Sequence, residues 1–134
     1  MGIEYRKVDA LNAESFIAVL ISSGLAERRP VTDRERIARM LAGSNLIIVA
    51  YDGDTLVGVA RSVTDYAYCC YLSDLAVDRA YQGRGIGKRL IAETRRAAGQ
   101  ETMCLLISAP DSVSFYESIQ MPRQTRAFMF PRAK

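Results

Sequence analysis

Apolar and polar positions change period several times along the chain, and each change marks a predicted element. Ile3 to Val8 alternates well enough for a first strand. Asn12 can cap a helix that carries Phe16, Ile17, Leu20 and Ile21 on one face and closes near Gly24. The charged stretch Leu25 to Val31 reads as a linker. Thr32-Asp33-Arg34-Glu35 then matches a capping box and predicts a second helix, with Ile37, Met40 and Leu41 inward and Gly43 ending it. Asn45 to Tyr51 and Thr55 to Val63 flank Asp52-Gly53-Asp54 as the strands of an antiparallel hairpin. The unbroken run Leu46-Ile47-Ile48-Val49 is the signature of a strand covered on both faces. Tyr68 to Val77 predicts a fourth strand, Ile86 to Ala98 a third helix ending at Gly99, and Met103 to Ser108 a fifth strand. Asp111 or Ser112 can cap a short fourth helix through Ser118, and Thr125 to Phe130 reads as a last, shorter strand.

The order β-α-α-β-β-β-α-β-α-β predicts a mixed α/β fold: a central mixed sheet of about six strands flanked by four helices. Strand four, helix three and strand five form a βαβ unit, so those two strands should be parallel with a right-handed crossover. With 134 residues, 49% of them hydrophobic and 25% charged, the chain is expected to form one domain over residues 1–134. The net charge of +3 is interspersed rather than run together, so nothing calls for nucleic acid. No apolar run approaches the roughly 18 residues of a membrane span, and the N-terminal stretch lacks a signal-peptide core, so a cytoplasmic protein is expected. Cys69, Cys70 and Cys104 suggest no disulfide framework. The absence of histidine removes Ser-His-Asp and Cys-His arrangements and most zinc sites, so no metal is expected. Acid–base chemistry is left to Asp, Glu, Tyr, Cys, Lys or water.

Candidate chemistry concentrates between Leu72 and Leu90. The strand ending Leu75-Ala76-Val77 runs into a turn containing Gly83, Gly85 and Gly87, and the turn opens a helix. Such a turn leaves backbone N–H groups unpaired, and the helix dipole adds partial positive charge there. Arg79, Arg84, Lys88 and Arg89 make the surroundings cationic. The stretch therefore reads as a pyrophosphate cradle. A Walker A loop is excluded because Arg89 follows Gly87-Lys88 where Ser or Thr is required, and a dinucleotide fingerprint fails because Lys88 occupies the third glycine position. What remains, Gln82-x-x-Gly85-x-Gly87 after a strand, resembles the acyl-CoA loop (Arg/Gln-x-x-Gly-x-Gly/Ala) of the GNAT superfamily of N-acetyltransferases. Ser114-Phe115-Tyr116-Glu117 is similar to that family's Phe-Tyr-Glu segment. The chain departs from the pattern at Gln120 and Met121, where the family often has Gly-Phe, and the region after Met121 is short for a full seventh strand.

The resemblance, to a small single-domain bacterial-type member, implies a GNAT fold with strands four and five splayed. It further implies acetyl-CoA as cosubstrate and direct acetyl transfer to a primary amine in a ternary complex. The acceptor would be a small-molecule or peptide amine, with neither nucleic acid nor membrane as partner; a homodimer is left open. On the same resemblance, the backbone of Leu75, Ala76 and Val77 meets the pantetheine arm, while Gln82, Gly83, Arg84, Gly85, Ile86, Gly87 and Lys88 hold the pyrophosphate. Tyr116 maps to the general acid. Asp74, the one carboxylate in strand four, maps to the usual place of a base, although it could equally serve as counter-ion or pair with an arginine, with water taking the proton. The acceptor groove is expected between the Leu25 to Val31 linker, strand four and the C-terminal end, with Arg28 and Arg29 facing an anionic acceptor and Tyr66, Tyr68 and Tyr71 as walls. The alternative reading is an acyl-CoA-binding regulatory module of the same fold without turnover.

Overall fold

The computed structural model describes residues 2–134 and has a five-stranded mixed sheet at its centre. The strands are β1 (Glu4–Val8), β2 (Leu46–Asp52), β3 (Thr55–Thr64), β4 (Cys69–Val77) and β5 (Met103–Leu105), and they lie in chain order across the sheet. The first four pair antiparallel; β5 pairs parallel with β4. Helices α1 (Ala13–Ser23) and α2 (Arg34–Ala42) cover one face, and α3 (Ile86–Ala98) and α4 (Val113–Ser118) cover the other.

The apolar run of β2 supplies both cores. Leu46 and Ile48 pack with Leu72, Ile86 and Leu90 on the α3 side, while Ile47 and Val49 pack with Phe16, Leu20, Ile37 and Leu41 on the α1–α2 side. Strict alternation along a strand requires this division, and burying both sets is the principal drive for the sheet to close between its helices.

Helix ends follow the sequence signals with one shift. Asn12 accepts a hydrogen bond from the Ser15 N–H at 2.8 Å and begins α1, and Gly24 ends it in the left-handed conformation. For α2 the cap is Asp33 rather than Thr32, its carboxylate accepting from the Arg36 N–H at 3.0 Å. Inside the expected linker, Leu25–Arg28 winds into a 3-10 turn.

Two strand expectations are corrected. Strand five ends at Leu105 rather than Ser108, and Thr125 to Phe130 forms no strand, so the sheet has five strands and not six. Pro122 and Pro131 bracket that segment and remove backbone donors, and Phe128 (96% exposed) and Phe130 (100% exposed) find no apolar face to cover.

The sheet is irregular in β4. Arg61 of β3 stands opposite Asp74, but the next residue, Ser62, stands opposite Leu72, so Ser73 is the extra residue of a bulge. Cys70 and Leu72 before it, and Leu75 and Val77 after it, consequently face the same α3-side core, although Leu72 and Leu75 are three apart. Asp74 and Ala76 turn to the opposite face.

Candidate active site

Strand β5 pairs with β4 only over Cys69 to Tyr71. From Leu72 to Val77 the outer edge of β4 has no strand partner, and the chain after Leu105 diverges from it. Unpaired edge groups at a bulge can bind an extended ligand as a surrogate strand. Leu75, Ala76 and Val77 lie along this part of β4; their apolar side chains pack into the cores, Ala76 pairs with Val59 of β3, and the backbone of Leu75 and Val77 is on the open edge.

At the C-terminal end of β4, Asp78 and a 3-10 turn (Arg79–Tyr81) lead into the glycine turn. The turn is held from below: the Tyr81 hydroxyl donates to Asp52 Oδ2 at 2.6 Å, Gln82 Nε2 donates to the Val77 carbonyl at 3.0 Å, and the Arg84 guanidinium stacks on the Tyr81 ring at 4.9 Å. Gly85 begins α3 with φ of 79°, which a residue bearing Cβ adopts only with strain. No side chain caps this helix. Among the described residues, the N–H groups from Gly83 to Lys88 have no hydrogen-bond partner. Open space surrounds the positions a Cβ would take at Gly83 and Gly85. The turn therefore fits a pyrophosphate: free donors, a helix N-terminus and room to approach. Of the nearby cations, Arg89 is engaged by Glu93 at 2.8 Å and stacks on Tyr5, while the Lys88 ammonium has no partner among the described residues.

Gly87 is buried and plays a different part from its neighbours. A Cβ there would stand 3.0 Å from Phe115 Cζ, so the missing side chain lets α4 close on the first turn of α3. Phe115 in turn meets Tyr116 edge to face, with centroids 5.0 Å apart. The glycine motif and the Phe-Tyr-Glu segment are thus one packed unit. Tyr116 points from it into a cleft of about 570 Å³ between the diverging strands, and its hydroxyl has no hydrogen-bond partner among the described residues. Burial pushes its phenol above the ordinary 10, partly opposed by the Arg29 charge, so the group keeps its proton at neutral pH.

Asp74 is fully buried, and both carboxylate oxygens are taken: Arg29 Nε donates to Oδ1 and Arg61 Nε to Oδ2. The same arginines grip the bulge, Arg29 Nη2 donating to the Ser73 carbonyl at 2.9 Å and Arg61 Nη2 to the Ser73 hydroxyl at 2.9 Å. Arg61 also donates to Ser44 Oγ at 2.9 Å, tying β3 to the end of α2. Of the roles open to Asp74, the geometry matches pairing with arginine; a carboxylate without exposed surface or a free oxygen does not reach an acceptor amine. The sequence signal for this network is Arg61 itself, a lone charge in the apolar stretch Leu56 to Val63, which needs a buried counter-charge.

The cleft beyond Tyr116 is walled by Arg28 from the 3-10 turn and Pro30 just after it, by Tyr71 and Ser73 from β4 and by Ile107 and Ser108 after β5. Tyr66 and Tyr68 do not line it; the Tyr66 hydroxyl donates to the Asn45 carbonyl at 2.7 Å, and Tyr68 is exposed. Met129, Arg132 and Lys134 do line it, in keeping with the expectation that the C-terminal end borders the groove, although not as a strand. The thiols stand apart from this chemistry: burial pushes Cys104 up to about 11, and Cys69 is raised by desolvation and by the Asp65 carboxylate.

Comparison with known proteins bears on the whole arrangement. Residues 20–120 match the model of the Acetyltransferase (GNAT) domain. Over 66 residues, 48% of this chain, the sequence is 36% identical to GCN5-related N-acetyltransferase 2, chloroplastic, of Arabidopsis thaliana, covering 26% of that protein. Over 99 residues, 72% of this chain, it is 32% identical to mycothiol acetyltransferase of Rhodococcus opacus, covering 32% of that protein. The matches thus span about a quarter to a third of these relatives' length. In structure the chain resembles a GNAT family acetyltransferase of Streptococcus pneumoniae, with a TM-score of 0.77, 22% identity and coverage of 99% and 100% of the two chains. It also resembles the PaiA N-acetyltransferase of Thermoplasma acidophilum in complex with coenzyme A, with a TM-score of 0.68, 20% identity and coverage of 90% and 88%. Both likenesses concern the fold.

Proposed function

Because this chain belongs to the GNAT acetyltransferase family, we propose that it is an acetyl-CoA-dependent N-acetyltransferase that acts on a primary amine by direct transfer. The observation that carries the reading is the run of unpartnered N–H groups from Gly83 to Lys88 at the end of β4, a strand whose outer edge is open from Leu72 and borders the cleft that holds the free Tyr116 hydroxyl. The coenzyme A bound by the Thermoplasma relative is consistent with this use of the gap.

Bound acetyl-CoA would supply an activated acyl carbon. The chain's part begins at the glycine turn, where the N–H groups from Gly83 to Lys88 and the Lys88 ammonium hold the pyrophosphate. Backbone groups on the outer edge of β4, at Leu75 and Val77 on either side of Ala76, align the pantetheine arm, and N–H groups along this edge are placed to stabilise charge on the thioester oxygen. Arg28 and Tyr71 border the space from which the neutral amine approaches. As the C–N bond forms and the C–S bond breaks, the Tyr116 hydroxyl gives its proton to the departing sulfur and recovers one from solvent. Water in the open cleft takes the amine proton, since Asp74 is committed to Arg29 and Arg61. No cysteine carries the acetyl group in this scheme.

Thiol release from acetyl-CoA in the presence of a panel of primary amines tests the reading, with intersecting initial-rate patterns expected for a ternary complex. Tight CoA binding without amine-dependent thiol release from any acceptor would instead indicate a non-catalytic acyl-CoA-binding module.

A further inference from the structure

The cleft that receives the acceptor carries more charge than N-acetylation requires. Six cationic side chains line it, from Arg28, Arg29, Arg36, Arg61, Arg132 and Lys134, against one acidic lining residue, Glu27. Three of these cations are occupied. Arg29 and Arg61 are both paired with Asp74, and Arg36 donates to the backbone oxygen of Lys134 at 3.2 Å. The side chains of Arg28, Arg132 and Lys134 form no hydrogen bond or ion pair among the described residues. None of the residues from Gln82 to Lys88 lines this cleft, so these cations are separate from the phosphate-binding turn.

On the reading that the chain is an N-acetyltransferase, we propose that its acceptor is a small primary amine that also bears an anionic group, a carboxylate or a phosphate, seated by Arg28 with Arg132 and Lys134. Like charges gathered around a cleft raise the local concentration of an oppositely charged ligand and repel one of the same sign. Arg28 offers a planar fork of donors suited to either anion, and its place on the 3-10 turn, next to Arg29 at the bulge, sets the anion beside the reaction gap. A volume of about 570 Å³ admits a molecule of that size. A polycationic acceptor would instead bring like charge against Arg28, Arg132 and Lys134.

Matched amine pairs test this: O-phosphoethanolamine against ethanolamine, β-alanine against propylamine, with spermidine as the polycation. In the wild-type protein at low salt, kcat/KM per neutral amine should favour at least one anionic member by about tenfold or more, the scale of one charge-assisted contact. Which pair shows the larger ratio separates phosphate from carboxylate. Raising the ionic strength should shrink the ratio. Arg28→Gln combined with Arg132→Gln should bring it towards one while CoA affinity holds, and Arg28→Glu should shift preference towards spermidine. Both residues are exposed, so these replacements leave the cores untouched. Equal or better use of the neutral amines or spermidine by the wild type overturns the proposal while leaving acetyl transfer intact. If no amine is turned over, acetyl transfer itself is in question, and equilibrium binding of the same pairs to the CoA-loaded protein decides: preference for the anionic member sustains the cleft assignment, and none refutes it.

Discussion

Tyr116 and Asp74 both line or adjoin the reaction gap, yet their surroundings assign them opposite kinds of work. Tyr116 has a free hydroxyl and a phenol raised by burial, so Tyr116→Phe keeps the ring against Phe115 and removes only the proton. Turnover should fall by roughly 10²- to 10⁴-fold with little change in melting temperature or in KM for acetyl-CoA. Because the raised phenol stays protonated below about pH 10, loss of the proton donor should not appear in kcat between pH 7 and 9. Asp74 behaves in the reverse sense: Asp74→Ala strands two arginine charges, one of them buried, and denaturant unfolding should report a loss of about 3–5 kcal/mol. A folded Asp74→Ala protein of undiminished stability that had lost its turnover would restore the carboxylate as a base. Gly87 links the two motifs, since a Cβ there would stand 3.0 Å from Phe115 Cζ and press on the ring that Tyr116 meets edge to face. Gly87→Ala is therefore expected to lower kcat more than it weakens CoA binding, as steady-state kinetics beside calorimetry would reveal.

At the level of elements, β4 is where the sequence carried most information and where most of it was easy to pass over. The three-residue step from Leu72 to Leu75 between same-face positions is visible in the chain and demands a bulge, and the lone Arg61 and lone Asp74 on neighbouring strands imply each other. Helix α3 was legible to both ends, because Gly85 and Gly99 bracket a strongly amphipathic stretch. The segment Thr125 to Phe130 misled for a physical reason: its period matches a strand, but pairing is a tertiary fact, and its Phe128 and Phe130 stay exposed instead of packing on the sheet. The turn between β3 and β4 supplies a test of pH dependence. Asp65 Oδ1 accepts from the N–H groups of Ala67, Cys69 and Tyr68, and these bonds hold the carboxyl at about 2, below the ordinary 3.8. With the folded value depressed, the turn's contribution is complete above pH 3.8 and is lost as pH falls through about 2. Asp65→Asn should remove that acid-limb dependence, which melting curves taken between pH 2 and 5 would resolve.

For the molecule as a whole, stability and specificity are placed in different parts of the chain. Both cores draw on residues no later than Ile119, so the stretch from Gln120 to Lys134 contributes little to holding the sheet between its helices. Yet Met129, Arg132 and Lys134 from that C-terminal stretch line the cleft, drawn across it by the Arg36 contact to Lys134. A segment that packs weakly but borders the acceptor space can change without endangering the fold. The glycine turn and Tyr116 stand out in the sequence by residue type and spacing, whereas the place of the tail beside the cleft depends on where a stretch without helix or strand lies. Removing residues 124–134 should therefore leave the melting temperature and CoA affinity close to those of the full chain. The KM of a preferred anionic amine should rise several-fold, since Arg132 and Lys134 are lost while Arg28 stays. A truncated protein that unfolds, or one whose acceptor KM is unmoved, would show that the tail belongs to the core or has no part in the cleft.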